Sequence, residues 1–338
     1  MGTRTYSRRG SDGIQKPTAL GIRLGRFASP MSRAQMDTLR PLFEDVLTST
    51  GRPYPQSRDT TPIYSPEAQQ ALERIYAIQG FNGKPTVVSV EEMAKRISNN
   101  EVQTEHLTTI EPNEFQEYPV FMVRAVSRES NLDSLMNDDE HHVPRQPGWF
   151  GTGTYFTAIP TWVKQPISKS QYDMEYDEMM RQMLDGTLMY SLRSEEYRPS
   201  SNQTNVDWFI EGQSRIPAIM MGALSKESRT NISEIRALKN RHPFKGNYDL
   251  YNHWVRNLTD EFVSRYGFGL PDIGTMAAAL GYDAIYIPND ANSGGEIMLL
   301  NRSKLILAEV ARGKGLNMDD VKPVLETFRN NLTRKLPV

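Results

Sequence analysis

Three apolar runs crowd the stretch from Gly281 to Leu307, GYDAIYIPNDANSGGEIMLLNRSKLIL. Ala284-Ile285-Tyr286-Ile287 reads as one strand, Ile297-Met298-Leu299-Leu300 as a second, and a third run ends near Leu307. Runs this short, bounded by Gly, Asn, Asp and Ser, have the length and punctuation of sheet strands. One carboxylate, Glu296, follows Gly294-Gly295 directly and stands at the mouth of the second strand. A charge at the first position of an apolar strand is either a solvated end or a reactive group at the rim of a cleft.

The preceding chain supplies what packs around this stretch. Residues 1–60 are rich in Gly, Pro, Ser, Thr and Arg and are expected to form a flexible arm with one helix, Ser32–Leu47. Ser32 is its candidate N-cap, and Met36, Leu39, Leu42, Phe43, Val46 and Leu47 recur at helical spacing. Gly51-Arg52-Pro53-Tyr54-Pro55 breaks the pattern. Such an arm packs either on a partner or on the domain that follows.

Residues 61–118 read as a helical N-terminal lobe. Ser65-Pro66-Glu67 is a strong helix start: serine caps, proline suits the first helical position, and glutamate suits the positive helix end. That helix should stop at Gly80. Pro85–Val88 is a short strand, and Ser89 with Glu92 forms a capping box for a helix from Val90 to about Ile97.

Residues 119–310 carry the remaining strands. Pro119–Val126 is an apolar run with one charge, Arg124, and Ser127–Gln146 is a polar surface loop. Gly148–Thr157 is a glycine turn feeding an aromatic strand, and Ile216–Leu224 is a buried strand. Helices are expected at Asp173–Leu184, Ile232–Lys239, Tyr248–Tyr266 and Thr275–Leu280. The Met-rich face of the first of these is a packing face. Residues 311–338 hold a C-terminal helix, Asp319–Leu332. Strands and helices do not alternate regularly, so the fold class is α+β rather than a repeated βαβ series.

Composition removes several classes of function. Lys and Arg total 39 against 41 Asp and Glu, so no global charge favours nucleic acid or a membrane surface. There is no cysteine, which excludes disulfides, thiolate catalysis and cysteine-based zinc sites. His141-His142 lies beside acids, but adjacent histidines cannot share a helix face and no third ligand completes a metal site; none is expected. No run approaches the ~20 apolar residues of a spanning helix. Arg8-Arg9 is followed by Gly10-Ser11-Asp12-Gly13 where an export signal needs an apolar segment, so no export signal is expected.

Three features bear chemistry: Arg124 inside a strand, the Gly151-Thr152-Gly153-Thr154-Tyr155-Phe156 turn, and Glu296. Each has a plain structural alternative. Arg124 fits a snorkelling edge residue or half of a buried ion pair. A lone G-x-G fits a hairpin turn. Glu296 fits a solvated strand end.

Taken together, they resemble the ADP-ribosyltransferase superfamily. Its members place an arginine on the first core strand, a Ser/Thr-rich or aromatic second strand, and a catalytic glutamate at the start of a later strand. The resemblance covers roughly Pro119 to Leu307, and its most specific parts are G-x-G-x-Y-F and Gly-Tyr-Asp…Glu-Ile-Met-Leu-Leu-Asn. Phe150–Phe156 also looks like the equivalent turn of poly(ADP-ribose) polymerases, although Arg124 stands where those enzymes carry histidine. With the preface Gly80-Phe81-Asn82-Gly83-Lys84-Pro85, the whole pattern looks closest to ADP-ribosyltransferase-like proteins of tailed bacteriophages.

The resemblance implies a split β-sheet core with flanking helices. It also implies transfer of ADP-ribose from NAD⁺, the substrate, to a macromolecule of the host. Glu296 is then the catalytic carboxylate. Arg124 holds the ribose–phosphate portion of NAD⁺, and Gly151 and Gly153 admit the dinucleotide close to the backbone. Tyr155 shapes the nicotinamide pocket, Thr154 or Thr157 braces Glu296, and residues Asn289 to Gly295 meet the acceptor. Ser170 and Tyr172 faintly resemble the polymerase nicotinamide serine and stacking tyrosine.

Two departures carry weight. Arginine-modifying members often have a second glutamate two residues before the catalytic one; here that position is Gly294, which disfavours arginine as acceptor. Ala125 follows the strand arginine where phage relatives often have glycine. Two alternatives follow: a virion- or head-associated protein that keeps the fold without turnover, tethered by residues 1–60, and an NAD glycohydrolase toxin. The expected location is the host cytoplasm or the phage virion.

Overall fold

In a computed structural model, residues 29–50, 65–108, 115–126, 133, 135–136, 151–159, 218–239, 241, 244, 247–270, 272–288 and 295–312 are described. The chain is α+β. Its helices are α1 (Arg33–Thr50), α2 (Pro66–Gln79), α3 (Val90–Ser98), α4 (Asn231–Lys239), α5 (Asn247–Tyr266) and α6 (Ile273–Ala279). Its strands are β1 (Thr86–Val88), β2 (Thr104–Thr108), β3 (Phe115–Pro119), β4 (Phe121–Val126), β5 (Thr154–Ile159), β6 (Ala218–Leu224), β7 (Ala284–Pro288), β8 (Gly295–Leu299) and β9 (Leu305–Arg312).

The helix starts follow from side-chain caps that satisfy otherwise orphaned backbone N–H groups. The Gln35 amide donates to Ser32 Oγ, and Gln35 Oε1 accepts from the Ser32 N–H in return. The Ala68 amide donates to Ser65 Oγ over 3.1 Å, and the Glu92 amide to Ser89 Oγ over 3.2 Å. At the other end of α2, Gly80 has φ 69°, the left-handed conformation that ends a helix at no Cβ cost.

Seven strands form one sheet in the order β1-β9-β6-β4-β5-β8-β7, and β2 with β3 forms a separate hairpin. In the large sheet β1 runs parallel to β9, and every other neighbouring pair is antiparallel. Side chains alternate between faces along each strand. One face, bearing Ile285, Ile287 and Met298, packs against α1, α2, α5 and α6 through residues such as Phe43, Leu72, Trp254, Phe262 and Met276. The other face, bearing Met122, Phe156, Met220, Tyr286 and Ile297, is covered in part by Ile232 of α4 and by Leu135.

Two of the expected domain boundaries do not separate cores. Thr86, Val87 and Val88 pair with Ile306, Leu307 and Ala308, so the segment read as a helical lobe contributes an edge strand to the main sheet. Helix α1 is integrated as well. Met31, Met36, Leu39 and Phe43 are buried in the same cluster as α5 and α6, and the Tyr266 hydroxyl donates to the Met31 carbonyl over 2.9 Å. Of the expected alternatives for the arm, its described part packs on the following domain. The tail Gly2–Gly13 and the helices at 173–184 and 319–332 lie outside the described residues.

The β2–β3 hairpin was absent from the expectations. It leads into β4 directly, and Gln103 locks it to the sheet: its amide Nε2 donates to the carbonyls of Lys226 (2.7 Å) and Ser228 (2.8 Å). The Gly80–Pro85 preface has a packing role. Arg302 is buried and donates from Nη2 to the Asn82 carbonyl over 2.9 Å. A Cβ at Gly83 would press on Ser303. Among the described residues, no helix is long and apolar enough to cross a membrane.

Candidate functional site

The three strands that carry the singled-out residues are consecutive in the sheet: β4 with Arg124, β5 from the glycine turn, and β8 with Glu296. Glu296 is one residue inside β8, which begins at Gly295 rather than after Glu296. It sits in register with Thr157 of β5 on one side and Ile287 of β7 on the other. Thr157 is in turn in register with Val123 of β4. Val123 and Ile287 are buried, Thr157 is half-buried, and Glu296 is exposed. The row Val123–Thr157–Glu296–Ile287 therefore opens to solvent at its centre, on a sheet face where Ile285, Ile287 and Met298 are buried. Although Glu296 reaches solvent, the surrounding protein still removes enough water for desolvation to raise its carboxyl above the ordinary glutamate value.

Alternation also sorts the neighbours. Tyr155, Thr157, Glu296 and Met298 share one face, and Thr154, Phe156 and Ile297 share the other. Thr154 is in register with Leu299, so Thr157 and not Thr154 is the β5 hydroxyl beside Glu296. Arg124 belongs to the row with Met220 of β6, on the Phe156 side. Its guanidinium lies 5.9 Å from the Phe156 ring centroid, within cation–π range.

The arginine reaches toward β5 because the sheet opens there. β4 pairs with β5 only over Phe121–Val123 and Thr157–Ile159. Beyond that point β4 continues to pair with β6 out to Val126, while β5 continues to pair with β8 back to Thr154. Across this split Arg124 Nη1 donates to the Tyr155 carbonyl. Strand spacing puts the Val123 and Glu296 backbones, two strands apart in one row, about 10 Å from each other, and Arg124 lies one residue beyond Val123 where β4 has left β5. Arg124 thus belongs to the opposite face, with its guanidinium at the split beside the Tyr155 carbonyl, and does not line one wall with Glu296.

The glycine turn is fitted against the start of α6. Asp272, buried at the N-cap, accepts the Thr152 N–H (2.8 Å) and the Gly274 N–H (2.9 Å) on Oδ1, and the Thr275 hydroxyl (2.6 Å) on Oδ2. Gly151 has φ 126°, and a Cβ there would overlap the Asp272 carboxylate. At Gly153 a Cβ would overlap Met298. Close packing of protein on protein accounts for both glycines without any ligand. The Tyr155 hydroxyl donates back to the Gly151 carbonyl over 2.7 Å, which ties the ring to the turn.

The Gly-Tyr-Asp motif before β7 is a buried scaffold. Gly281, with φ 82°, follows α6 and turns the chain. Tyr282 donates its hydroxyl to Glu234, which also accepts from Trp254 Nε1 over 2.8 Å. Asp283 accepts the Arg229 N–H (2.7 Å) and the Asn301 side-chain amide (2.5 Å). Burial pushes the Asp283 carboxyl up, against the lowering effect of those hydrogen bonds. Asn231 closes the open edge of β7: its Oδ1 accepts the Tyr286 N–H (2.6 Å) and its Nδ2 donates to the Tyr286 carbonyl (2.9 Å). These bonds fix β7, and β7 in turn flanks Glu296.

Of the residues singled out by sequence, Arg124, Gly151, Gly153, Thr154, Tyr155, Thr157, Gly295 and Glu296 fall on the three adjacent strands or the turn between them. Ser170, Tyr172, His141, His142 and the loop 289–294 lie outside the described residues. Among the described residues, no group of three or more His, Asp or Glu side chains is placed to hold a metal. Sequence reasoning missed Asp272. Its signal was present in Asp272-Ile273-Gly274-Thr275, an acidic N-cap three residues before a hydroxyl. Comparison of the chain with models of known protein families, with curated proteins and with solved structures found no match.

Proposed function

We propose that this chain is an NAD⁺-dependent mono-ADP-ribosyltransferase that modifies a host macromolecule, with Glu296 as its catalytic carboxylate. The observation that carries this reading is the setting of Glu296: an accessible but partly desolvated carboxylate, beside the half-buried Thr157, in a row whose ends are buried. Two further features support it. The arginine strand, the aromatic strand and the glutamate strand are neighbours in the order β4-β5-β8. The β4–β5 split agrees with the split core that the resemblance implies.

The chemistry asks little of the protein beyond placement and charge. The bond between nicotinamide nitrogen and ribose C1′ breaks, and nicotinamide leaves with the bonding pair. Positive charge grows on C1′ and the ring oxygen as an oxocarbenium ion. Glu296, ionised, accepts the ribose 2′-OH and stabilises that charge. Its partial desolvation strengthens the interaction, because fewer waters screen it. The Thr157 hydroxyl, next to it in register, holds the carboxylate in place. Arg124, at the β4–β5 split, supplies charge-assisted hydrogen bonds to the phosphates. A nucleophile of the acceptor then bonds to C1′ and loses its proton. Gly294 in place of a second glutamate directs the reaction away from arginine acceptors.

Two observations favour a second reading, a phage structural protein that keeps the fold without turnover. Arg124 is already engaged by the Tyr155 carbonyl and Phe156, and the glycines are accounted for by packing. A third outcome is NAD⁺ hydrolysis. Incubation with NAD⁺ labelled in its adenylate portion and a bacterial lysate separates the three. Label on macromolecules supports transfer, free ADP-ribose supports hydrolysis, and intact NAD⁺ supports the structural protein.

A further inference from the structure

We infer that Asp272 is a positioning residue for the proposed site: it anchors the Gly151–Gly153 turn to α6 and so sets where β5 presents Tyr155 and Thr157 to Glu296. The inference rests on the transferase reading above and deepens it.

The geometry leaves little freedom at this anchor. Asp272 is buried, and its two carboxylate oxygens take hydrogen bonds from Thr152, Gly274 and Thr275. Thr152 is itself fully buried, and its N–H bond to Asp272 joins residues on distant parts of the chain. The contact is a tight one from both sides. A Cβ at Gly151 would overlap Asp272 and the Gly274 amide, and a Cβ at Gly274 would overlap the Thr152 backbone. The turn therefore has one seat on the helix start. Two residues on, β5 begins, and the Tyr155 hydroxyl is tied to the Gly151 carbonyl. Thr157, two further along on the same face, is the residue in register with Glu296. A shift of the turn is transmitted along a strand that is already unpaired from β4 on this side of Thr157. β8 holds the other side, so the displacement expected is a small rotation of the β5 entry about its β8 ladder.

Three variants of the full chain test this, read by release of nicotinamide from NAD⁺. Asp272→Asn keeps an acceptor for the two N–H groups and a donor for the Thr275 oxygen, so the turn stays seated. Its kcat should remain within about twofold of the parent. Asp272→Ala removes all three bonds, and Gly274→Ala keeps the carboxylate but pushes the turn off its seat. Both should lose kcat by about tenfold to a hundredfold, the scale of a small misplacement of reacting groups, with KM changed far less. Melting temperatures show that the variants are folded at the assay temperature; losing the cap costs a few degrees. Folded Asp272→Ala and Gly274→Ala proteins with parental kcat would overturn the inference while leaving the transferase reading intact. An Asp272→Asn protein as slow as Asp272→Ala would also overturn it, since seating and not charge is claimed. A parent chain that releases no nicotinamide overturns the transferase reading itself, and the positioning role with it.

Discussion

Truncating Phe43 asks whether α1 belongs to the folded domain or hangs from it as a tether. Phe43 is 1% exposed and sits among α1, α2, α5 and α6 side chains. An aromatic side chain buries roughly 150–250 Å². At ~25 cal/mol per Å² that is about 4–6 kcal/mol for full transfer from water. Alanine keeps its methyl, the unfolded chain already buries some surface, and a cavity is left behind; the net expected cost of Phe43→Ala is about 3–5 kcal/mol. Ile78 on α2 is the control. It is 46% exposed, so Ile78→Ala should cost about 0.5 kcal/mol or less. Urea unfolding of both variants, followed by far-UV circular dichroism, gives the two midpoints. If Phe43→Ala cost no more than Ile78→Ala, α1 would not be part of the cooperative unit and the burial argument would be refuted. That result would also restore the full arm as a candidate assembly tether.

Three further outcomes follow from particular contacts. Asn231→Ala removes both hydrogen bonds to the Tyr286 backbone and should cost about 2–4 kcal/mol, with faster hydrogen exchange at the Tyr286 amide; unchanged exchange there would contradict the edge-sealing role. The raised carboxyl of Glu296 has a definite sign for stability. Folding favours its protonated form, so the folded state is relieved of the cost at low pH and bears it as pH rises through the raised value. Melting curves of Glu296→Gln should therefore match the parent below the ordinary glutamate range and equal or exceed it above the raised value; a variant that loses stability as pH rises relative to the parent would reverse the sign. Transferase activity should fall as pH drops through that same raised value, so the acid limb of the pH–rate profile should lie above the ~4.3 of an ordinary glutamate.

Much of the architecture was legible because its signals are local. Ser32, Ser65 and Ser89 announce helix starts through side-chain oxygens, and Gly80 announces a helix end through its left-handed backbone. β4, β6, β7 and β8 are apolar runs that no solvent-facing element would carry. The β2–β3 hairpin escaped notice because TEHLT and FQEYP carry polar side chains without clear alternation. Its pairing is held by the backbone, and Gln103 ties it by a long-range contact to the segment after β6. The parallel pairing of β1 with β9 is likewise invisible locally, since its partners lie some two-thirds of the chain apart.

The candidate site divides in the same way. Arg124, Tyr155 and Glu296 stand out by residue type, but only register tells which of them share a face. Thr157 gains its place beside Glu296, and Thr154 loses it, through a one-residue difference that the strand period makes decisive. The glycines have a packing reason that the sequence does not show. G-x-G suggests a ligand at close approach, and the space a Cβ would take at Gly151 and Gly153 is filled by Asp272 and Met298. Asp272 was missed because the small helix was expected to begin at Thr275, not at Ile273.

Nicotinamide release from NAD⁺ by the parent chain and by Glu296→Gln tests the central claim most directly. The substitution keeps the size of the side chain, removes its charge and turns one acceptor oxygen into an NH2 donor. The account predicts steady release by the parent, a loss on the order of 10²–10³-fold in Glu296→Gln, and an unchanged or higher melting temperature for the variant at neutral pH. A parent chain that leaves NAD⁺ intact, or a Glu296→Gln protein that releases nicotinamide at the parental rate, would contradict it.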